Sequence, residues 1–173
     1  ILDVRRPPAY LPVAMGLARE VDALVVLTVG TDCNVGKMTA QLQLVDGLRK
    51  RGQMTKFVAT GQTGIFIEGW GTGVDAVVAD FIAGAAEELV LKAAPGADIV
   101  LVEGFSAHPL PKIEVFRRAC GDQPIYDAAR PDADQWVAMI TDHPGFRAPF
   151  PVFRFNDTSW LQALANLAWD RAR

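Results

Sequence analysis

Cysteine and histidine are both scarce in this chain, with two of each among 173 residues. Cys33 and Cys120 are too few for a disulfide framework, so a reducing cytoplasm is the simplest setting, and Cys33 is expected to be a small buried thiol. His108 and His143 stand far apart, each followed by proline, with no Ser/His/Asp order or metal-ligand spacing around them; both read as loop residues. Apolar runs are short. None approaches the roughly 18 residues of a membrane span, which argues against a membrane partner. Positive charge is not in excess: 17 Lys and Arg stand against 20 Asp and Glu, for a net charge of −3, so no basic footprint points to nucleic acid. The clusters Arg49-Lys50-Arg51 and Arg117-Arg118 read as a helix end and a solvated face. The chain begins at Ile1 with neither initiator methionine nor signal-like segment, and so reads as a fragment.

Hydrophobic residues make up 50% of the chain, about the globular average, and the length suits one domain with a substantial core. The most informative segment is Leu24-Val25-Val26-Leu27-Thr28-Val29, which runs into Gly30-Thr31-Asp32-Cys33-Asn34-Val35-Gly36-Lys37-Met38-Thr39. An apolar strand, a glycine-bounded loop ending in Gly-Lys and an immediate helical pattern are the context of a phosphate-binding loop. Gly30 and Gly36 let the backbone approach phosphate oxygens, and Lys37 supplies a point charge for the β- and γ-phosphates. Thr31, Asp32, Asn34 and the amides of Val35, Gly36, Lys37, Met38 and Thr39 complete the candidate nucleotide-binding set. Five residues separate the two glycines here, where the common G-x-x-x-x-G-K-[ST] pattern has four. The loop resembles that of dethiobiotin synthetase and its relatives, G-T-D-T-x-V-G-K-T, which carries the same extra residue. Met38 takes the usual magnesium-binding hydroxyl position, so either Thr39 contacts the metal or the metal lacks that protein ligand.

Residues 1–22, with Arg5-Arg6-Pro7-Pro8 and Leu11-Pro12, read as an extended lead-in, and 23–173 as a single P-loop nucleotide-binding domain. Strands are expected at 23–29, 56–60, 98–102, 112–116, 136–141 and 151–155. Helices are expected at 37–51, from Asp75 to about Ala94, and at 158–171, the last capped by Asn156-Asp157-Thr158. The 75–94 helix is apolar almost all round, which places it in the core or at a subunit interface, so a homodimer is possible. Strands alternating with helices predict an α/β fold: a parallel, doubly wound sheet in a P-loop NTPase-like three-layer sandwich.

Ligands bind at the C-terminal ends of the strands of such a sheet. Glu103, ending Ile99-Val100-Leu101-Val102, is placed to organise Mg²⁺, and with Lys37 it forms the candidate catalytic pair. The polar loop Gly61-Gln62-Thr63-Gly64 offers donors and acceptors, Gln62 among them. Asp80 lies in the apolar run Val77-Val78-Ala79-Asp80-Phe81-Ile82, where an unpaired buried charge would be costly, and joins Thr39 and Glu103 as a candidate metal ligand. Asp75 reads as an N-cap, and Lys112 as a residue that could reach an anionic substrate. Asp142, after Trp136-Val137-Ala138-Met139-Ile140, either pairs with N1–H and N2–H₂ of guanine or starts a turn.

Two family resemblances meet at Glu103. Ile1-Leu2-Asp3-Val4-Arg5-Arg6-Pro7-Pro8, Thr28 to Thr39, Ala59-Thr60-Gly61-Gln62-Thr63-Gly64-Ile65 and Val74-Asp75-Ala76-Val77-Val78-Ala79-Asp80-Phe81 make residues 1–104 resemble the C-terminal P-loop domain of a bacterial family associated with D-glutamate N-acetyl transfer. Leu101-Val102-Glu103-Gly104-Phe105, Pro111-Lys112-Ile113-Glu114-Val115 and Phe155-Asn156-Asp157 make residues 98–168 resemble molybdopterin-guanine dinucleotide biosynthesis protein B. The chain therefore reads as a mosaic joined at its third strand, natural or engineered. The second family is a small, usually dimeric GTP-binding protein that assists molybdenum cofactor synthesis. The resemblances imply Mg²⁺ with GTP or ATP, GTP being favoured by the C-terminal half, and slow NTP hydrolysis or an accessory role in cofactor biosynthesis. The alternatives are an N-acetyltransferase or ligase-type enzyme on a small D-amino acid such as D-glutamate, and a non-catalytic phosphate-binding module. The partners expected are a nucleotide and an unidentified small molecule.

Overall fold

The computed structural model describes residues 3, 10–157 and 159–171. The Arg5-Arg6-Pro7-Pro8 stretch and the expected capping residue Thr158 lie outside them. Strands β1 (Leu24–Val29), β2 (Thr55–Val58), β3 (Ile99–Glu103), β4 (Lys112–Phe116), β5 (Trp136–Thr141) and β6 (Val152–Phe153) form one six-stranded sheet in the order β2-β3-β1-β4-β5-β6. Every neighbouring pair is parallel, as the sequence pattern predicts. The helices are α1 (Lys37–Arg49), α2 (Gln62–Glu68), α3 (Ala79–Ala93) and α4 (Trp160–Arg171). Among the described residues no helix is long and apolar enough to cross a membrane.

Strands β1, β3 and β5 are nearly continuous apolar runs because both of their faces are buried, whereas β4 carries buried Lys112 and Glu114. Val25, Leu27 and Val29 of β1 pack with Val90 and Ala93 of α3, whereas Val26 packs with Leu44 and Leu48 of α1 on the opposite face. Helix α4 joins α1 on that second face through Trp160, Leu164 and Ala165. The α3 face is finished differently. Over β4 and β5 it is covered by the 117–135 segment, whose Tyr126 packs with Phe116, Trp136 and Met139.

Buried polar groups hold that segment down. The Glu114 carboxylate accepts the backbone N–H groups of Ile125 at 2.6 Å and Tyr126 at 2.9 Å, and the Trp136 indole N–H at 2.8 Å. Burial raises its pKa above that of an ordinary glutamate, and these hydrogen bonds pull it partly back. Lys112 lies two residues earlier on the same side of β4 and is fully buried. Its ammonium donates to the His108 carbonyl at 2.6 Å, to the Leu110 carbonyl at 3.2 Å and to the Gln135 side chain, and it lies 5.0 Å from the Trp136 ring centroid. It is therefore a strut inside the fold and does not reach out to an anionic substrate.

Four expectations around β2 and α3 are corrected. Gly61-Gln62-Thr63-Gly64 is not an open loop, because Gln62 begins α2. A Cβ on buried Gly64 would stand 3.0 Å from Ala59 Cβ, so this glycine lets a short helix lie against the end of β2. Helix α3 begins at Ala79, since Val74–Ala76 is a separate 3₁₀ turn and Val77 is extended. Asp75 is thus no N-cap; it accepts from the Gln62 amide at 3.0 Å. Asp80 falls in the first turn of α3 and is exposed, so the buried unpaired charge inferred from its apolar neighbours does not arise.

The apolar character of α3 is accounted for within the chain, between the sheet and the lead-in. The Glu87 carboxylate accepts the N–H groups of Met15 at 2.6 Å and Ala18 at 3.3 Å. A Cβ on Gly84 would lie 1.8 Å from the Pro12 carbonyl oxygen and 2.9 Å from Ala14 N. These are backbone atoms with no room to yield. Gly84→Ala should therefore push residues 12–18 off α3, costing about 1–3 kcal/mol in urea denaturation and speeding proteolytic cleavage there; unchanged stability and cleavage would refute the close packing. Glu114→Ala should cost about 3 kcal/mol by stranding its buried donors, read in the same denaturation experiment.

Candidate functional site

The chain leaves β1 toward β2 and β3 on one side, then returns to place β4 on the other. This reversal opens a crevice at the C-terminal end of β1, where open α/β sheets bind ligands. The loop from Gly30 to Gly36 occupies that end, flanked by Glu103 at the end of β3 and Arg117 after β4.

Two glycines shape the loop. A Cβ on Gly30 would lie 2.6 Å from the Val115 carbonyl and 2.7 Å from Val35 Cγ2, so no side chain fits there. Gly36 has φ of 101°, a left-handed conformation that favours glycine, and its carbonyl accepts the Ala40 N–H as α1 begins. Between them Cys33–Val35 forms a 3₁₀ turn, with the Asp32 carboxylate accepting the Asn34 N–H at 2.8 Å. Val35 is the buried residue of this turn and plugs it into the core. Cys33 is exposed, contrary to expectation, because the turn spends its one inward position on Val35. The Lys37 ammonium reaches back to the Asp32 carbonyl at 2.7 Å. Thr31, Asn34 and Thr39 are exposed around this ring. Met38, in the first turn of α1, packs against the core, which leaves Thr39 as the exposed hydroxyl of that turn.

Glu103 pairs with Thr28 in the sheet register, one step from the loop. Burial raises its carboxyl pKa above the usual range, and the charge of Lys37 pulls it partly back. Immediately after it, Gly104 and Phe105 both have positive φ, 92° and 63°, and the Gly104 N–H donates to the Thr28 carbonyl at 2.9 Å. A non-glycine residue held in this region carries backbone strain, which the sequence did not signal. Among the described residues no group of three or more His, Cys, Asp or Glu side chains is arranged to hold a metal. A magnesium ion fits this site by another route, one carboxylate plus phosphate oxygens and water.

The remaining candidates are more dispersed. Gln62 is committed to Asp75, and Asp80 is a solvent-exposed carboxylate. Asp142, after β5, accepts the Arg118 N–H through Oδ1 at 2.9 Å. The residue missed from the sequence is Arg117. Its Nε–H donates to the Val35 carbonyl at 2.9 Å, and its guanidinium carbon lies 3.7 Å from the Phe155 ring centroid. Its signal was its place at a strand end beside the crevice, as for Glu103; the adjoining Arg118, which is exposed, disguised the pair as surface charge.

Residues 12–115 match a domain of unknown function described as the DUF1611 C-terminal P-loop domain. A Pseudoalteromonas protein named D-glutamate N-acetyltransferase is 43% identical over 114 residues, 63% of this chain and 32% of that protein, so the chain spans about a third of the relative's length. The crystal structure of a DUF1611 family protein from Anabaena variabilis has a TM-score of 0.73 at 27% identity, covering 97% of this chain and 64% of that one. The structure of molybdopterin-guanine biosynthesis protein B shares the fold, with a TM-score of 0.53 at 20% identity over 87% of this chain and 99% of its own. Both resemblances read from the sequence thus fall on one continuous fold.

The raised Glu103 pKa sets a sign for stability. The native state holds this proton more tightly than the unfolded chain does, so the contribution is fully present below the ordinary glutamate range and is lost as pH rises through the native value. Urea midpoints measured across that window should show a shallower fall with pH in Glu103→Gln and a steeper one in Lys37→Ala. Identical pH slopes in all three proteins would contradict the burial of Glu103 beside Lys37.

Proposed function

We propose that this chain, which belongs to the DUF1611 C-terminal P-loop domain family, binds a magnesium–nucleoside triphosphate at the loop after β1 and either hydrolyses it slowly or uses it in an accessory role in molybdenum cofactor biosynthesis. The observation that carries the reading is the Lys37 ammonium, drawn back across a glycine-shaped loop to the Asp32 carbonyl and close enough to Glu103 to perturb its pKa. A polyphosphate would replace that carbonyl as the partner of Lys37. The amides of Val35 to Thr39 and the N-terminal end of α1 would share its negative charge.

The roles follow from placement. Gly30 and Gly36 shape the cradle, with Thr31, Asp32 and Asn34 on its rim. Lys37 stabilises charge on the β- and γ-phosphates. Mg²⁺, when bound, neutralises phosphate charge; Glu103 would hold it and orient its waters, and Thr39 supplies the hydroxyl that Met38 cannot. Asp80 offers only a solvated carboxylate to the same ion. Asp142 keeps Oδ2 for the base, where an acceptor suits the N1–H and N2–H₂ edge of guanine and favours GTP over ATP. Gln62, whose amide N–H is held by Asp75, would offer its side-chain carbonyl oxygen to the second, unidentified small molecule.

A second reading draws on the relative named D-glutamate N-acetyltransferase: the loop holds the phosphates of coenzyme A or ATP while a small D-amino acid is acylated or ligated. Equilibrium binding of GTP, ATP and acetyl-coenzyme A, each with and without Mg²⁺, separates the two. GTP is expected to bind most tightly and only weakly without Mg²⁺. Binding of acetyl-coenzyme A alone would transfer the proposal to acyl transfer, and no nucleotide binding below millimolar concentration would end it. Lys37→Ala should weaken nucleotide binding by about 10- to 100-fold, the worth of a charge-assisted hydrogen bond.

A further inference from the structure

We propose that Arg117 is a positioning residue: locked between the Val35 carbonyl and the Phe155 ring, it holds the phosphate loop in register with a nucleoside cleft at the ends of β5 and β6. The site would thereby favour a nucleoside triphosphate over a bare polyphosphate. The inference rests on the nucleotide-binding reading above and adds a selectivity to it.

The first support is the hydrogen bond itself. The first helical bond of α1 runs from Ala40 N–H to the Gly36 carbonyl, so the Val35 carbonyl lies one residue outside the helix ladder. Arg117 Nε–H takes it at 2.9 Å across 82 residues of chain, and Nη2 lies 3.8 Å from where a Cβ on Gly36 would stand. The guanidinium is thus attached to the turn that precedes Lys37. Its planar face is occupied as well, with Cζ 3.7 Å from the Phe155 centroid. A planar cation stacked on an aromatic ring and tied at its edge has little freedom left.

The second support is what Phe155 borders. With Thr141, Asp142, Pro144, Arg154 and Asn156 it lines an open cleft of about 420 Å³, within the size range of ligand pockets. The Arg154 side chain in the wall of this cleft is tied to backbone carbonyls beside it. Arg154 Nη2 donates to the Pro144 and Phe146 carbonyls, each at 3.3 Å, whereas its Nη1 is buried without a partner. Across the cleft Asp142 is fixed by the Arg118 N–H. Arg117 and Arg118 consecutively therefore link the ends of four strands: β1 through Val35, β4 by their own position, β5 through Asp142 and β6 through Phe155.

The test compares GTP with inorganic tripolyphosphate, both with Mg²⁺, by calorimetry on the wild type, Arg117→Ala, Arg117→Lys, Phe155→Leu, the Arg117→Ala/Phe155→Leu double variant and Lys37→Ala. The affinity ratio of GTP to tripolyphosphate should fall about tenfold in Arg117→Ala and in Phe155→Leu, with the double variant no worse than the larger single loss. Arg117→Lys should recover part of the ratio, since it keeps the charge and a donor but not the stacked plane. Lys37→Ala should weaken both ligands and leave the ratio in place. Equal loss of both ligands in Arg117→Ala would make it a phosphate contact and overturn the proposal, as would an unchanged ratio in Phe155→Leu or multiplying losses in the double variant. Should Arg117→Ala fail to fold, Phe155→Leu and Arg117→Lys decide on the ratio alone. A wild type that binds tripolyphosphate as tightly as GTP overturns this inference while leaving the loop reading intact; one that binds neither removes both.

Discussion

The candidate site depends on how tightly the end of β1 lies against the end of β4. Gly30 sits where a Cβ would fall within 2.6 Å of the Val115 carbonyl and 2.7 Å of Val35 Cγ2. With no side chain, the backbone can enter the loop flush with the sheet. That contact lets Val35 plug the core beneath the loop and turn its carbonyl toward Arg117. It also brings α1 in at an angle that carries Lys37 back over Asp32 and into the field of Glu103. A methyl group at Gly30 would have to displace backbone, and the rest of the arrangement would move with it.

The two faces of the sheet are completed by different physics. On one, α1 and α4 bury apolar stripes by ordinary helix-on-sheet packing. On the other, α3 covers the β1–β3 half, and buried polar groups hold irregular chain against the remaining surface: Glu87 holds the lead-in, Glu114 the 117–135 segment and Lys112 the carbonyls before β4. Buried charges are expensive unless every polar atom finds a partner, and these three are richly bonded. The positive φ of Gly104 and the strained backbone of Phe105 lie beside the acid of the candidate site, so the chain turns sharply just after the strand-end carboxylate.

Much of the scaffold was legible because its signal is local. β1, β3 and β5 are buried on both faces and read as nearly continuous apolar runs, and Gly-Lys at a strand-to-helix junction identifies the loop. What failed were inferences about which way a side chain points. Asp80 looked buried because its neighbours are apolar, yet a helix beginning at Ala79 turns it to solvent. Lys112 looked available among prolines, yet strand alternation sends it under the 117–135 segment. Cys33 looked buried, yet the 3₁₀ turn gives the interior to Val35. Arg117 looked like surface charge because Arg118 follows it, and only the return of the chain to β6 supplies the Phe155 ring that stacks on it.

By itself the sequence determined the α/β class, the order of its main strands and helices, and the phosphate-loop signature, because periodicity, glycine placement and strand-to-helix succession act over ten or so residues. Tertiary structure decided which strand ends meet. The sheet order sets Glu103 and Arg117 on either side of the loop. Residues 12–18 fold onto α3 through Gly84 and Glu87. Arg117 is joined to a loop carbonyl 82 residues earlier in the chain. Contacts at that separation are set by how the layers pack, which no local pattern of residues encodes.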